Sequence, residues 1–183
     1  MSKTLQEPVT AAPVVSSEEP VVRSVAARRA LAVLRLMFGF YFLWAFVDKT
    51  FGLGFATPAE RAWVNGGSPT KGFLSGVEGP FAGIYHAIAG NTFIDVLFMI
   101  GLLGIGLALV LGIGMRIAAV SGALLYVLMW TAALPMTTNP ILDDHLTGAM
   151  TLIVLALTAA GTTWGLGRWW SSQSFVDKNR WLI

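Results

Sequence analysis

VLFMIGLLGIGLALVLGIGM-R-IAAVSGALLYVLMWTAALPM, residues 96–136, carries a single charged side chain, Arg116, between two uncharged runs of 20 residues. As a helix rising about 1.5 Å per residue, each run reaches about 30 Å, the thickness of a bilayer's hydrocarbon core. Only a short turn separates them, so they must be antiparallel neighbours. Gly101, Gly104, Gly106, Gly112 and Gly114 allow close helix approach. With Asp95 in its first turn, the second span runs 94–115 and the third 117–136.

Downstream, Pro135 and Pro140 bracket a loop that holds NPILDDH, residues 139–145. A fourth apolar span, 146–167, follows and ends on Arg168-Trp169-Trp170, a basic and aromatic interface anchor. Residues 171–183 form a short tail with Lys178 and Arg180. Upstream, Arg28 and Arg29 precede the first span, 30–47, whose one charge is Arg35; Asp48-Lys49 closes it, and Tyr41, Phe42 and Trp44 lie toward that end as an aromatic belt does. Residues 1–27 mix Pro, Ser, Glu and Val without period and contain no secretory h-region. They read as a flexible tail, or alternatively as a docking arm for a partner.

Residues 50–92 differ from the rest. Gly66-Gly67-Ser68-Pro69 and Gly79-Pro80 are turn signals. Residues 58–65 (PAERAWVN) predict a short helix with Thr57 as N-cap and Pro58 at its first position. Residues 80–89 (PFAGIYHAIA) predict an interfacial or re-entrant helix. A loop this long is often a functional lid.

Composition agrees with a membrane chain. Of 183 residues, 55% are hydrophobic and 12% charged, against about 25% charged in soluble domains. A soluble core of this size, burying about 70% of the chain's surface, cannot hide that excess. The net charge of +2 is too small and scattered for nucleic acid. The absence of cysteine excludes disulfides, thiolate zinc sites, iron–sulfur ligation and a catalytic thiol. The expected fold is an all-α membrane protein: a four-transmembrane-helix antiparallel bundle over residues 28–170, with a long outer loop containing short interfacial helices. Arg23, Arg28, Arg29, Arg116, Arg168, Lys178 and Arg180 fall on one side, and Lys49, Arg61 and Lys71 on the other. The positive-inside rule then makes both termini cytoplasmic in a multi-pass plasma membrane protein.

In that topology Asp48, Lys49, Asp95, Asp143, Asp144 and His145 gather near the outer interface. Carboxylates, a lysine and a histidine around an apolar mouth can bind anions and move protons, as quinone chemistry requires. The structural alternative is that acidic residues at helix N-termini offset the helix dipole, which suits Asp95 as well as a site does. Asp143 reads as solvated. Asp144 and His145 are the preferred proton-handling pair, because the fourth helix begins at once and buries them soonest. Lys49 would attract the anion, with Arg61 or Lys71 from the lid. Trp44 and Trp63 can stack on a quinone ring. Arg35 either snorkels to the headgroups or partners a backbone carbonyl or anionic ligand. His86 and His145 have no ligand motif around them, so neither haem nor metal is expected.

Arg35, Gly39, Phe42 and Asp48-Lys49 form one pattern; Asp95, Gly101-Leu102-Leu103-Gly104 and Leu111-Gly112-Ile113-Gly114-Met115-Arg116 form a second; Asn139-Pro140 with Asp144-His145 forms a third. Together they make the chain resemble the DoxX/DoxD family of small four-helix membrane proteins over residues 30–170, the third pattern looking most like the DoxD branch. The resemblance implies a membrane subunit of thiosulfate:quinone oxidoreductase. Quinone would be the membrane substrate, and other membrane-complex subunits the partners. Asp144, His145, Asp48 and Lys49 then stand as candidate catalytic residues, and Trp44, Trp63, Asp95 and Arg35 as candidates for binding quinone. A non-catalytic accessory subunit of a respiratory or antioxidant complex is the alternative. A transporter fits less well, since no inverted repeat or broken helix pair is visible.

Overall fold

The computed structural model describes residues 21–137 and 139–183. Among them every regular element is helical. Three helices are long and apolar enough to cross a membrane: α1 (Val25–Phe51), α4 (Thr92–Leu111) and α5 (Met115–Ala132). The shorter helices are α2 (Lys71–Leu74), α3 (Ala82–Ile88), α6 (Asp144–Leu157), α7 (Gly167–Ser171) and α8 (Ser174–Lys178).

Local chemistry sets the ends. Ser24 caps α1, accepting from the Ala27 N–H at 3.3 Å, and Asn91 caps α4, accepting from Phe93 and Ile94 at 2.9 and 3.4 Å. α4 stops at Gly112, whose left-handed φ of 73° suits a residue without Cβ. Gly114 then starts α5, so the two helices reverse direction within three residues. Pro135 keeps α5 from running on, because a residue before proline resists the helical region.

α1 packs on α4, α4 on α5 and α5 on α6, while α1 and α6 touch only lightly. Small residues set the two tightest crossings. A Cβ on Gly106 would lie 2.7 Å from Leu43 Cγ, and one on Gly148 would lie 2.9 Å from the Tyr126 ring. Between the helices lies one apolar core, centred on Phe42, Met99, Ile105, Leu109, Tyr126 and Leu152.

Several boundaries move. α1 starts three residues inside the expected tail and runs past Asp48 and Lys49, so these two lie on the helix instead of closing it. The remaining expectation for the tail, residues 1–20, lies outside the described residues. The second and third helices end about four residues early, at Gly112 and Ala132. The fourth apolar segment is not one helix: α6 has 14 residues, about 21 Å. The chain breaks after it at Ala159, with φ 50°, and turns again at Trp164, with φ 53°. Residues 171–183 are docked, not loose. Val176 is fully buried, and the Arg116 N–H donates to the Ile183 carbonyl at 2.8 Å.

The 52–91 segment is also ordered differently from its reading. Residues 58–65 form two 3-10 turns (Ala59–Arg61 and Trp63–Asn65), not one helix, and Thr57 makes no cap bond. The second expected piece shortens to α3, and α2 was not foreseen. A small second core of Leu74, Val77, Tyr85 and Ala132 seats this segment on the end of α5.

Candidate functional site

Contacts of Lys49 with Phe98, Tyr126 with His145 and Trp130 with Ile141 bring the C-terminal ends of α1 and α5 and the N-terminal ends of α4 and α6 together, against the 52–91 segment. Asp48, Lys49, Asp95 and the 143–145 run all lie at this end, as their sequence positions imply. The structure then separates them by what they do.

Asp48 is 2% exposed and accepts the backbone N–H groups of Phe55 and Ala56 at 3.3 and 3.0 Å. Asp95 is 5% exposed and accepts from the Ser68 hydroxyl at 2.9 Å and the Thr70 N–H at 3.1 Å, with the Thr70 hydroxyl at 2.5 Å. Both carboxylates therefore pin the covering segment to the helix ends. Charged acceptors of this kind are among the stronger hydrogen-bonding groups in a protein, and the task explains their burial without a ligand.

Arg35 belongs to the opposite end. It is fully buried and donates to the carbonyls of Leu109, Val110, Thr163 and Trp164. It caps the C-terminus of α4 and holds the 163–164 turn, so the snorkelling reading gives way to the backbone-carbonyl one. A cation at a helix C-terminus answers the dipole and the carbonyls left unpaired there.

His145 has a different partner from the expected one. Asp144 is exposed and makes no side-chain bond among the described residues, whereas His145 Nδ1 lies 2.6 Å from Asp143 Oδ2. The other Asp143 oxygen accepts the N–H groups of His145 and Leu146, each at 3.0 Å, and so caps α6. Burial would push the Asp143 carboxyl up. The His145 ring and the two backbone donors outweigh it and hold the group below its ordinary value. An ionised carboxylate keeps a hydrogen on Nδ1 and so orients the ring, while Nε2 has no partner among the described residues. The imidazole also lies against the buried Tyr126 ring, centroids 6.2 Å apart, and Phe42 and Phe38 meet that ring from α1.

Lys49 differs from Asp48 and Asp95. It forms no hydrogen bond or ion pair among the described residues, and its Nζ lies 5.8 Å over the Phe98 ring. It stands in an apolar cleft of about 450 Å³ between α4 and α5. Pro69, Thr70, Phe73 and Leu74 line this cleft from the covering segment, Tyr85 and Ile88 from α3, and Phe98, Ile105, Leu125 and Leu128 from the two long helices. Lys49 is its one charged wall residue. The Tyr85 hydroxyl is committed to the Leu128 carbonyl at 2.8 Å and to Thr131 at 2.5 Å. An apolar volume of this size with one convergent polar group is how small-ligand sites are commonly built.

The remaining candidates stay apart from the cleft. Trp44 packs on Phe40 and Phe55, and Trp63 packs against the main core; neither lines the cleft. His145 and Asp144 do not line it either. His86 Nε2 meets the Val77 carbonyl at 2.9 Å, and no cluster able to hold a metal occurs among the described residues. Sequence reasoning missed Asp143 as the histidine's partner, Tyr126 beside it, and Phe98 beneath Lys49. Of these only Asp143 had a local signal, an aspartate directly before a helix. Comparison of the chain with protein families, with curated proteins and with solved structures finds no match.

Proposed function

We propose that the chain is a DoxX/DoxD-like membrane subunit of a quinone-linked oxidoreductase, its four apolar segments forming an antiparallel bundle with both termini cytoplasmic. The observation that carries this reading is the cleft between α4 and α5. Its apolar walls suit an isoprenoid quinone entering from the bilayer, and Lys49 offers N–H donors to a quinone carbonyl. The family resemblance supplies the electron donor, thiosulfate or another small reduced sulfur compound. Two thiosulfates joined through a new sulfur–sulfur bond release two electrons, and the quinone takes these with two protons to become quinol. His145, oriented by Asp143, is the proton-handling group at the same end.

Thiosulfate-dependent quinone reduction by the purified chain in lipid tests the reading, with Lys49→Met and His145→Ala alongside. Quinone reduction that falls at least tenfold in Lys49→Met is expected, with quinone binding weakened in parallel. Unchanged turnover and binding in that variant would remove quinone from the cleft.

A second reading rests on a separate observation. Asp48, Asp95 and Arg35 all spend their charge holding backbone, which suits an accessory subunit without chemistry of its own. It predicts no turnover from the folded chain alone and stoichiometric co-purification with a larger membrane complex.

A further inference from the structure

At the end opposite Lys49, a groove of about 730 Å³ runs between α5 and α6 toward α7. It lies where α6 stops. At about 21 Å that helix falls roughly 9 Å short of a bilayer's hydrocarbon core, and the chain folds back through Ala159, Gly161 and Thr162 along the groove wall. In a membrane the missing helical turns leave apolar walls that water would wet at a cost and hydrocarbon would fill.

The polar side chains on these walls are mostly engaged. The Thr162 hydroxyl donates to the Ala159 carbonyl, Ser171 to Arg168, and Trp170 Nε1 to Leu182, at 2.8, 3.0 and 2.7 Å. Arg116, in the first turn of α5, is the one charged side chain on the wall among the described residues. It is exposed, donates from one nitrogen to the Arg180 carbonyl at 2.8 Å, and forms no ion pair among the described residues. A guanidinium has five N–H donors in a fork matched to phosphate, so most of its capacity is unspent.

We propose that this groove binds an anionic phospholipid, with an acyl chain along α5 and α6 and the phosphate on Arg116. The inference is independent of the quinone reading, since it uses the other end of the molecule and no redox step. It assigns the groove beside the short α6 to lipid, and it gives Arg116, without an ion pair among the described residues, an anionic partner.

The test is native mass spectrometry of the full chain released from vesicles of equal phosphatidylglycerol and phosphatidylcholine. The wild type is expected to retain phosphatidylglycerol over phosphatidylcholine by about fivefold or more, the preference one cationic contact at a membrane surface gives. Arg116→Gln should bring the ratio near one, and Arg116→Lys should keep most of it. Val120→Trp, at an exposed groove position, should expel both lipids without touching the core. Equal retention of the two lipids by the wild type, or an unchanged ratio in Arg116→Gln, would overturn the proposal. So would a Val120→Trp chain that retains lipid as before; this last outcome remains decisive even if Arg116→Gln fails to fold.

Discussion

Asp143 serves two structures with one carboxylate: one oxygen closes the first turn of α6 and the other holds the His145 ring. Asp143→Ala should cost about 1 kcal/mol as a lost cap, and more where the imidazole loses its orientation. Asp144→Asn, on an exposed side chain, should leave melting in detergent unchanged. The same carboxylate fixes a pH response. Its folded value lies below the ordinary aspartate value of 3.8, so the stability it contributes is present above 3.8 and is lost as pH falls through the folded value. A melting series taken downward from pH 5 should show this loss in the wild type and not in Asp143→Asn. A wild-type series parallel to that variant would mean that the carboxylate contributes nothing.

Among the elements, the α1–α4 crossing is the most exacting. Gly106 faces the Leu43 backbone nitrogen at 3.0 Å from where a Cβ would sit, whereas Gly104, two residues earlier on the same helix, has nothing within 4 Å. Gly106→Leu should therefore force the helices apart at a cost of about 1–3 kcal/mol or more. Gly104→Leu should be neutral or slightly stabilising, since leucine is the better helix former. Equal melting temperatures for the two variants would show that the crossing tolerates a wider spacing. This contrast is invisible in the sequence, where both glycines sit in one apolar run. The run itself was legible, because hydropathy alone sets α4 and α5. The end of α6 is only partly legible: residues 158–167 (TAAGTTWGLG) carry no charge, so the uncharged run continues, while their three glycines and three threonines weaken a helix; the left-handed turns at Ala159 and Trp164 are set by the backbone. Asp143 reads as solvated if burial simply increases along the helix, whereas a cap residue reaches over the first turn and finds its partners there. The partners of Arg35 lie 74 to 129 residues away in the chain, beyond any local pattern.

The whole molecule has two chemically different ends. One end carries the covering segment, the paired Asp143–His145 and the Lys49 cleft; the other gathers Arg116, Arg168 and the docked C-terminal residues. The chain contains no cysteine, so single cysteines report topology without background. Glu78→Cys, in the exposed covering segment, should react with an impermeant maleimide on whole cells, and Lys178→Cys only after lysis. Labelling of both in intact cells would contradict the bundle proposed above.

The Arg35 contacts also bear on how the protein is made. α1 is synthesised before all four of the carbonyls that receive its buried Arg35. Two of these carbonyls arrive with the end of α4 and the other two only with residues 163 and 164. Arg35 thus waits on a segment 128 residues further along the chain for its last contacts. Until then its donors are left to water or lipid headgroups, and a chain truncated before residue 163 lacks two of the four carbonyls that receive Arg35.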